Sequence, residues 1–258
     1  MSSTRMCNEE NLVNCVRTLS LIESRHYLNE GNKIAETYLT DELKKIGYSV
    51  EVDSFQHEGG CYNNIIARLN NGGDKNYIVC AHYDSISKDE KAPGADDNAS
   101  GVAAVLELAR LLKVSDLKLN MEFVLFNLEE AGGIGSKHLA GRYKEMGIKL
   151  EGVINLDTIG TWEGDLSESY PVTYVTNEDS EAFMNTIIEN SNLNLCKCKD
   201  MWTDDHGSFW KVGYKAIELT EIGVTPYMHT GEDTYEKLNY KNIAKIVNGL
   251  EGYFKKNI

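Results

Sequence analysis

A chain of 258 residues with 41% hydrophobic and 26% charged side chains has the composition of a globular protein able to bury a sizeable core. Forty acidic against 26 basic side chains give a net charge of −14, which argues against nucleic acid and anionic membranes as partners. No window of ~18 apolar residues occurs, so no transmembrane helix is expected.

The opening "MSSTRMCNEENLVNCVRT" has no apolar leader core, so the chain as written reads as cytoplasmic. A secreted chain whose leader had been removed would read the same. Six scattered cysteines (Cys7, Cys15, Cys61, Cys80, Cys196 and Cys198) are not the framework of a small secreted domain and read as free thiols. Cys196 and Cys198 lack a second ligand pair at zinc-site spacing; whether they form a disulfide is left open.

In chain order, residues 10–22 and 31–46 have helical spacing. In the second, Ile34, Tyr38, Leu43 and Ile46 share a face, and Gly47 is the stop. "YSVEVDSF" alternates as a half-buried strand, and "NNIIARL" is a second. Their closeness predicts an antiparallel edge hairpin. The turn "NNGGDKN" leads to the apolar strand "YIVCAHYDS". A small-residue helix at 99–112, the strand "MEFVLFNLEE", the helix "GSKHLAGRYKEM" and the strand "GVINLDTIG" follow. Then come a strand "PVTYVT", a helix at 179–192, a strand "KAIELTE" and a last helix at 239–256. Strands alternating with helices, with no repeat and no Pro/Gly/Ser-rich linker, predict one α/β domain over 1–258. Its mixed, mostly parallel central sheet is flanked by helices on both faces.

Open α/β sheets bind ligands beyond the carboxyl ends of their strands. Here those ends carry the chemistry-bearing residues. "YIVCA" runs into His82-Tyr83-Asp84, "MEFVLFNL" into Glu129-Glu130 and "GVINL" into Asp157. The loop after the first of these carries Asp96-Asp97, and the loop after "KAIELTE" carries His229. His82, Asp96, Glu130, Asp157 and His229 are of the types that ligate zinc and similar ions. Five protein ligands exceed the roughly three of a catalytic zinc and suit two metals if one carboxylate bridges. Gly132, Gly133 and Gly135 have neither the GxGxxG spacing nor a P-loop lysine, so nucleotide binding is not expected.

"AHYDS", "PGADDNASG", "LEEAGGIGS", "NLDTIG" and "MHTGEDT", in this order, resemble the M28 family of co-catalytic zinc aminopeptidases. The resemblance implies a zinc-exopeptidase fold and two zinc ions. His82 and Asp157 would hold one, Glu130 and His229 the other, and Asp96 would bridge them. It makes Glu129 the general base and Asp84 the residue that orients His82. It also implies a cis peptide between Asp96 and Asp97. Asp205-His206 resembles a family segment beside the site. Met228 stands where some members place a tyrosine, which leaves Tyr227 outside the catalytic set.

The implied reaction is removal of N-terminal residues from peptides by a metal-bridging water, with Glu129 taking and returning its proton. Two rivals stand beside it: a single-zinc glutaminyl cyclase, and a binding module without catalysis. Trp162, Trp202, Phe209 and Trp210 are candidates for pocket walls. The preferred N-terminal residue, amino- against carboxy- or dipeptidase action, the physiological metal and the oligomeric state are open at this level.

Overall fold

The computed structural model describes residues 6–162, 172–175, 178–199, 204–221 and 226–257. Eight strands form one mixed sheet: β1 (Val50–His57), β2 (Gly60–Asn70), β3 (Asn76–His82), β4 (Asn120–Phe126), β5 (Gly152–Leu156), β6 (Val172–Val175), β7 (Cys196–Lys199) and β8 (Ala216–Thr220). Their spatial order is β1-β2-β4-β3-β5-β8-β6-β7. The four central strands β4, β3, β5 and β8 run parallel. The first two strands form the expected antiparallel hairpin at one edge, pairing Val50 with Ala67 through His57 with Gly60.

The helices are α1 (Glu9–Ser20), α2 (Glu30–Ile46), α3 (Gly101–Lys113), α4 (Ile134–Glu145), α5 (Glu178–Ser191), α6 (Asp205–Lys211) and α7 (Tyr240–Asn257). Strand alternation sorts the core into two layers. Tyr77, Val79 and Ala81 of β3, with Met121, Phe123 and Leu125 of β4, join the apolar sides of α1, α2, α3, α5 and α7. Ile78 and Cys80, with Val124 and Phe126, face Leu139, Ala140 and Tyr143 of α4 and Phe209 of α6. Burying a side chain such as Phe123, which is fully enclosed, is worth roughly 1.5–3 kcal/mol. His82 continues the Ile78, Cys80 alternation at the end of its strand.

Three local expectations change. The buried stripe of α2 is Asn32, Ala35, Leu39 and Leu43, and Ile34 is exposed. The i, i+4, i+8 series built on Ala35 brings α2 against its neighbours, which turns Ile34 outward. The strand β7 and the short helix α6 were not foreseen; neither Cys-Lys-Cys-Lys nor Asp-His-Gly-Ser carries an apolar period. Phe209 is core rather than pocket wall, lying against Phe126, and the half-buried Trp210 packs on the same cluster with its indole donating to the Ala216 carbonyl at 2.6 Å. Trp202 lies outside the described residues.

Candidate metal centre

Because β3, β4, β5 and β8 are parallel, their carboxyl ends share one edge, and the loops leaving them meet there. His82 closes β3, Glu129 and Glu130 follow β4, Asp157 follows β5, and His229 stands in the loop after β8. The backbone at this edge is strained. Leu128, Thr158 and His229, none of them glycine, have φ of 58°, 44° and 55°. Such conformations persist only where the surroundings impose them, and they gather at functional sites. Leu128 and Thr158 aim the neighbouring Glu129 and Asp157.

The shared acid is where the structure corrects the sequence reading. Asp97, not Asp96, lies between the histidines. One Asp97 oxygen is 3.2 Å from His82 Nε2 and the other is 3.0 Å from His229 Nε2. Asp157 lies 3.3 Å from His82 Nε2, and Glu130 lies 3.2 Å from His229 Nε2. Two groups of potential ligands result, His82–Asp97–Asp157 and Asp97–Glu130–His229.

Asp96 turns the other way, into the protein. Its oxygens accept the Gly160 amide at 2.8 Å and the Thr161 hydroxyl at 3.2 Å. The cis peptide is likewise one residue further on, at Asp97-Asn98. Asn98 then starts α3: its side-chain oxygen accepts the Gly101 amide at 2.9 Å, and its amide donates to the Leu156 carbonyl at 2.8 Å.

Asp84 serves three neighbours. Its carboxylate lies 3.4 Å from His82 Nδ1, and its two oxygens accept the amides of Glu129 and Glu130, each at 3.2 Å. Asp84 at Nδ1 leaves His82 Nε2 facing Asp97 and Asp157; a bound metal would take the place of the Nε2 proton, with Nδ1–H kept toward Asp84. Glu129 sits 4.0 Å from His82 Nε2 and makes the outer wall of the cluster. Gly132 and Gly133, at φ of 96° and 68°, turn the chain so that both amides reach the Glu129 carbonyl at 2.7 Å before α4 begins.

The charges fit a cation. Burial pushes the Glu130 carboxyl up to about 7, with Asp97 adding to it, and burial also raises Glu129 and Asp157. Burial works to raise Asp97 too, but hydrogen bonds from His229 and His82 hold it below the usual carboxylate range. Hydrogen bonds to Asp97 and Glu130 lift the His229 imidazole to about 10. Crowded, largely buried acids with His82 and His229 among them are the condition a divalent ion relieves. Glu130 Oε1 is buried with no hydrogen-bond partner among the described residues, while Oε2 of the same carboxylate lies against His229. Imidazole with carboxylate is a donor set suited to zinc.

Some residues at this edge escaped the sequence reading. Asp233 and Arg25 are buried beside the Asp97 loop, although neither belongs to a ligand group. Asp233 stands inside "MHTGEDT", so a signal existed; Arg25 stands in no motif. His206 is buried with its Nδ1 2.6 Å from Glu218, behind the rim.

Comparison with known proteins bears on the family and the fold. A protein of Trichophyton verrucosum named probable leucine aminopeptidase is 28% identical over 95% of this chain and 71% of its own length. A Zn-dependent exopeptidase from Parabacteroides distasonis superposes with a TM-score of 0.81, at 19% identity, over 96% of this chain and 98% of that one. A glutaminyl cyclase from Fimbriiglobus ruber gives a TM-score of 0.83, at 20% identity, over 100% and 98%. At such identities the two structures speak for the fold alone. The sequence pattern of Peptidase family M28 matches residues 64–252, a stretch that contains every residue of both ligand groups, and the chain belongs to that family.

Proposed function

We propose that the chain is a zinc-dependent aminopeptidase whose site takes two ions. His82, Asp97 and Asp157 would hold one, and Asp97, Glu130 and His229 the other. The observation that carries this reading is the placement of the Asp97 oxygens, one toward each histidine. Bound divalent ions supply Lewis acidity, which polarises a substrate carbonyl and makes water a nucleophile near neutral pH.

The chain's own residues divide the remaining work. Glu129, 4.0 Å from His82 Nε2, takes a proton from the attacking water and delivers it to the leaving amine. Asp84 holds the Glu129 amide and the His82 ring in one frame. The crowded carboxylates attract the free α-amine of a peptide, which restricts cleavage to chain ends. The name carried by the Trichophyton relative supports peptides with a free N-terminus as substrates.

A single-zinc cyclase is the second reading, favoured by the likeness of fold to the Fimbriiglobus enzyme. Metal analysis separates the two, together with a panel of aminoacyl-coumarins, N-blocked peptides and glutaminyl peptides assayed with and without chelator. The expected result is two zinc ions per chain, with hydrolysis of unblocked substrates alone that chelator abolishes and zinc restores. Glu129→Ala should keep both ions and lose about 10²–10⁴-fold in turnover. One ion with pyroglutamate formation, or cleavage of blocked peptides, would overturn the proposal.

A further inference from the structure

Asp97 can face two histidines only if its backbone is held, and the structure shows what holds it. Asp233, 1% exposed, accepts the Asp96 amide on one carboxylate oxygen at 2.8 Å and the Asp97 amide on the other at 3.1 Å. Its carbonyl accepts the Ala95 amide at 3.1 Å. Three consecutive amides of the loop therefore end on one residue. From the opposite side, the buried Arg25 guanidinium binds the carbonyls of Pro93 and Gly94, the latter at 2.9 Å. The same guanidinium donates to the Tyr83 carbonyl at 2.8 Å, between His82 and Asp84. Gly94 has φ of 51°, and a Cβ there would meet the Asp97 carbonyl oxygen at 2.3 Å, so the loop has no slack. Asp233 is also four residues from His229, in the same loop.

We propose that Asp233 is the positioning residue for the shared carboxylate. By pinning the Asp96 and Asp97 amides, it turns the Asp97 oxygens toward His82 and His229, and it locks that turn to the loop bearing His229. Asp233 ligates nothing itself. The inference rests on the two-ion reading above. A partner of this kind, one step removed from the metal, typically governs metal affinity by about 10–100-fold.

Asp233→Asn tests it. Asparagine keeps one acceptor oxygen and puts an NH2 where the second must accept, so one amide of the Asp96–Asp97 pair loses its bond. Zinc affinity is read by competition with a chromophoric chelator, on the full chain. The expected result is about 10–100-fold weaker binding of both ions, because both share Asp97. In steady-state kinetics kcat should fall while KM stays within a factor of about three, a split expected when positioning rather than substrate binding is lost. Glu107→Gln is the control: a buried acid of α3, bonded to the Asn8 amide and Arg110 and belonging to neither ligand group, whose loss should lower thermal stability and leave zinc affinity alone.

Asp233→Glu keeps both oxygens but displaces them by one methylene, and serves should Asp233→Asn not accumulate as folded protein. Wild-type zinc affinity in whichever variant folds, or an equal loss in Glu107→Gln, would overturn the proposal. A wild-type protein that binds zinc twice yet cleaves no peptide would sink the enzymatic reading, and the zinc titrations would still decide the role of Asp233.

Discussion

Asp97, at φ −109° and ψ 88°, departs from the helical backbone around it, and the two carboxylates go to different partners. Asp97 takes the cluster and Asp96 takes the Gly160 amide and the Thr161 hydroxyl. This sets a test between two residues one position apart. Asp97→Asn removes a charged ligand from both groups, and zinc affinity should fall at least ~100-fold, the upper end of what losing a partner of a ligand costs. Asp96→Asn keeps one acceptor for its two donors and should stay within about 10-fold of wild type. Equilibrium zinc titration of the two variants checks the order; the reverse order would restore Asp96 as the shared ligand. The sequence showed that two acids stood together beside a helix start. Which of them faced the histidines depended on the Asp233 and Gly160 contacts, made with residues 137 and 64 positions away, and no local pattern carries that information.

Elements were the more legible level, wherever the apolar period was unbroken. The strands leading to His82, Glu129 and Asp157 were readable because their cores are continuous apolar runs, and their shared edge followed from alternation with helices. β7 and α6 escaped because both are short and neither carries an apolar period, and the buried face of α2 is set by the Ala35, Leu39, Leu43 series, which leaves Ile34 outside. What positions the site at this scale is the approach of α3 to β5. Gly101 begins α3, and a Cβ there would meet the Leu156 carbonyl oxygen at 2.2 Å and the Asn98 side-chain oxygen at 2.4 Å. Both neighbours flank proposed ligands, Asp157 and Asp97. Gly101→Ala should gain about 1 kcal/mol of helix propensity and lose more to overpacking, about 1–3 kcal/mol, with weakened zinc binding. At Gly141 of α4 a Cβ would meet nothing within 4 Å, so Gly141→Ala should be neutral or stabilising by up to about 1 kcal/mol. Thermal melts of the pair settle it; equal behaviour would mean that α3 is not held tightly against β5.

At the scale of the molecule, the net charge of −14 meets a fold that gathers Asp84, Asp97, Glu129, Glu130 and Asp157 at one edge. Each is buried or nearly so, and like charges brought together in a poorly solvated rim oppose folding. A ligand that binds only the folded chain adds RT ln(1 + [L]/Kd) to stability, about 4 kcal/mol when free zinc stands 1,000-fold above Kd. For a chain of this size 1 kcal/mol moves the midpoint by about 2–4 °C, so stripping one ion should lower Tm by about 8–16 °C and stripping both by about twice that. General repulsion between surface acids would give a different signature, since salt screens exposed charges within about 8 Å at physiological ionic strength and acts far less on buried ones. Sodium chloride should therefore leave the chelated protein near its lowered Tm, and zinc at slight excess should restore it. Scanning calorimetry across those three conditions decides the matter. Full recovery with salt alone would show that the acid-rich edge is stabilised by screening rather than by ions held among His82, Asp97, Glu130, Asp157 and His229.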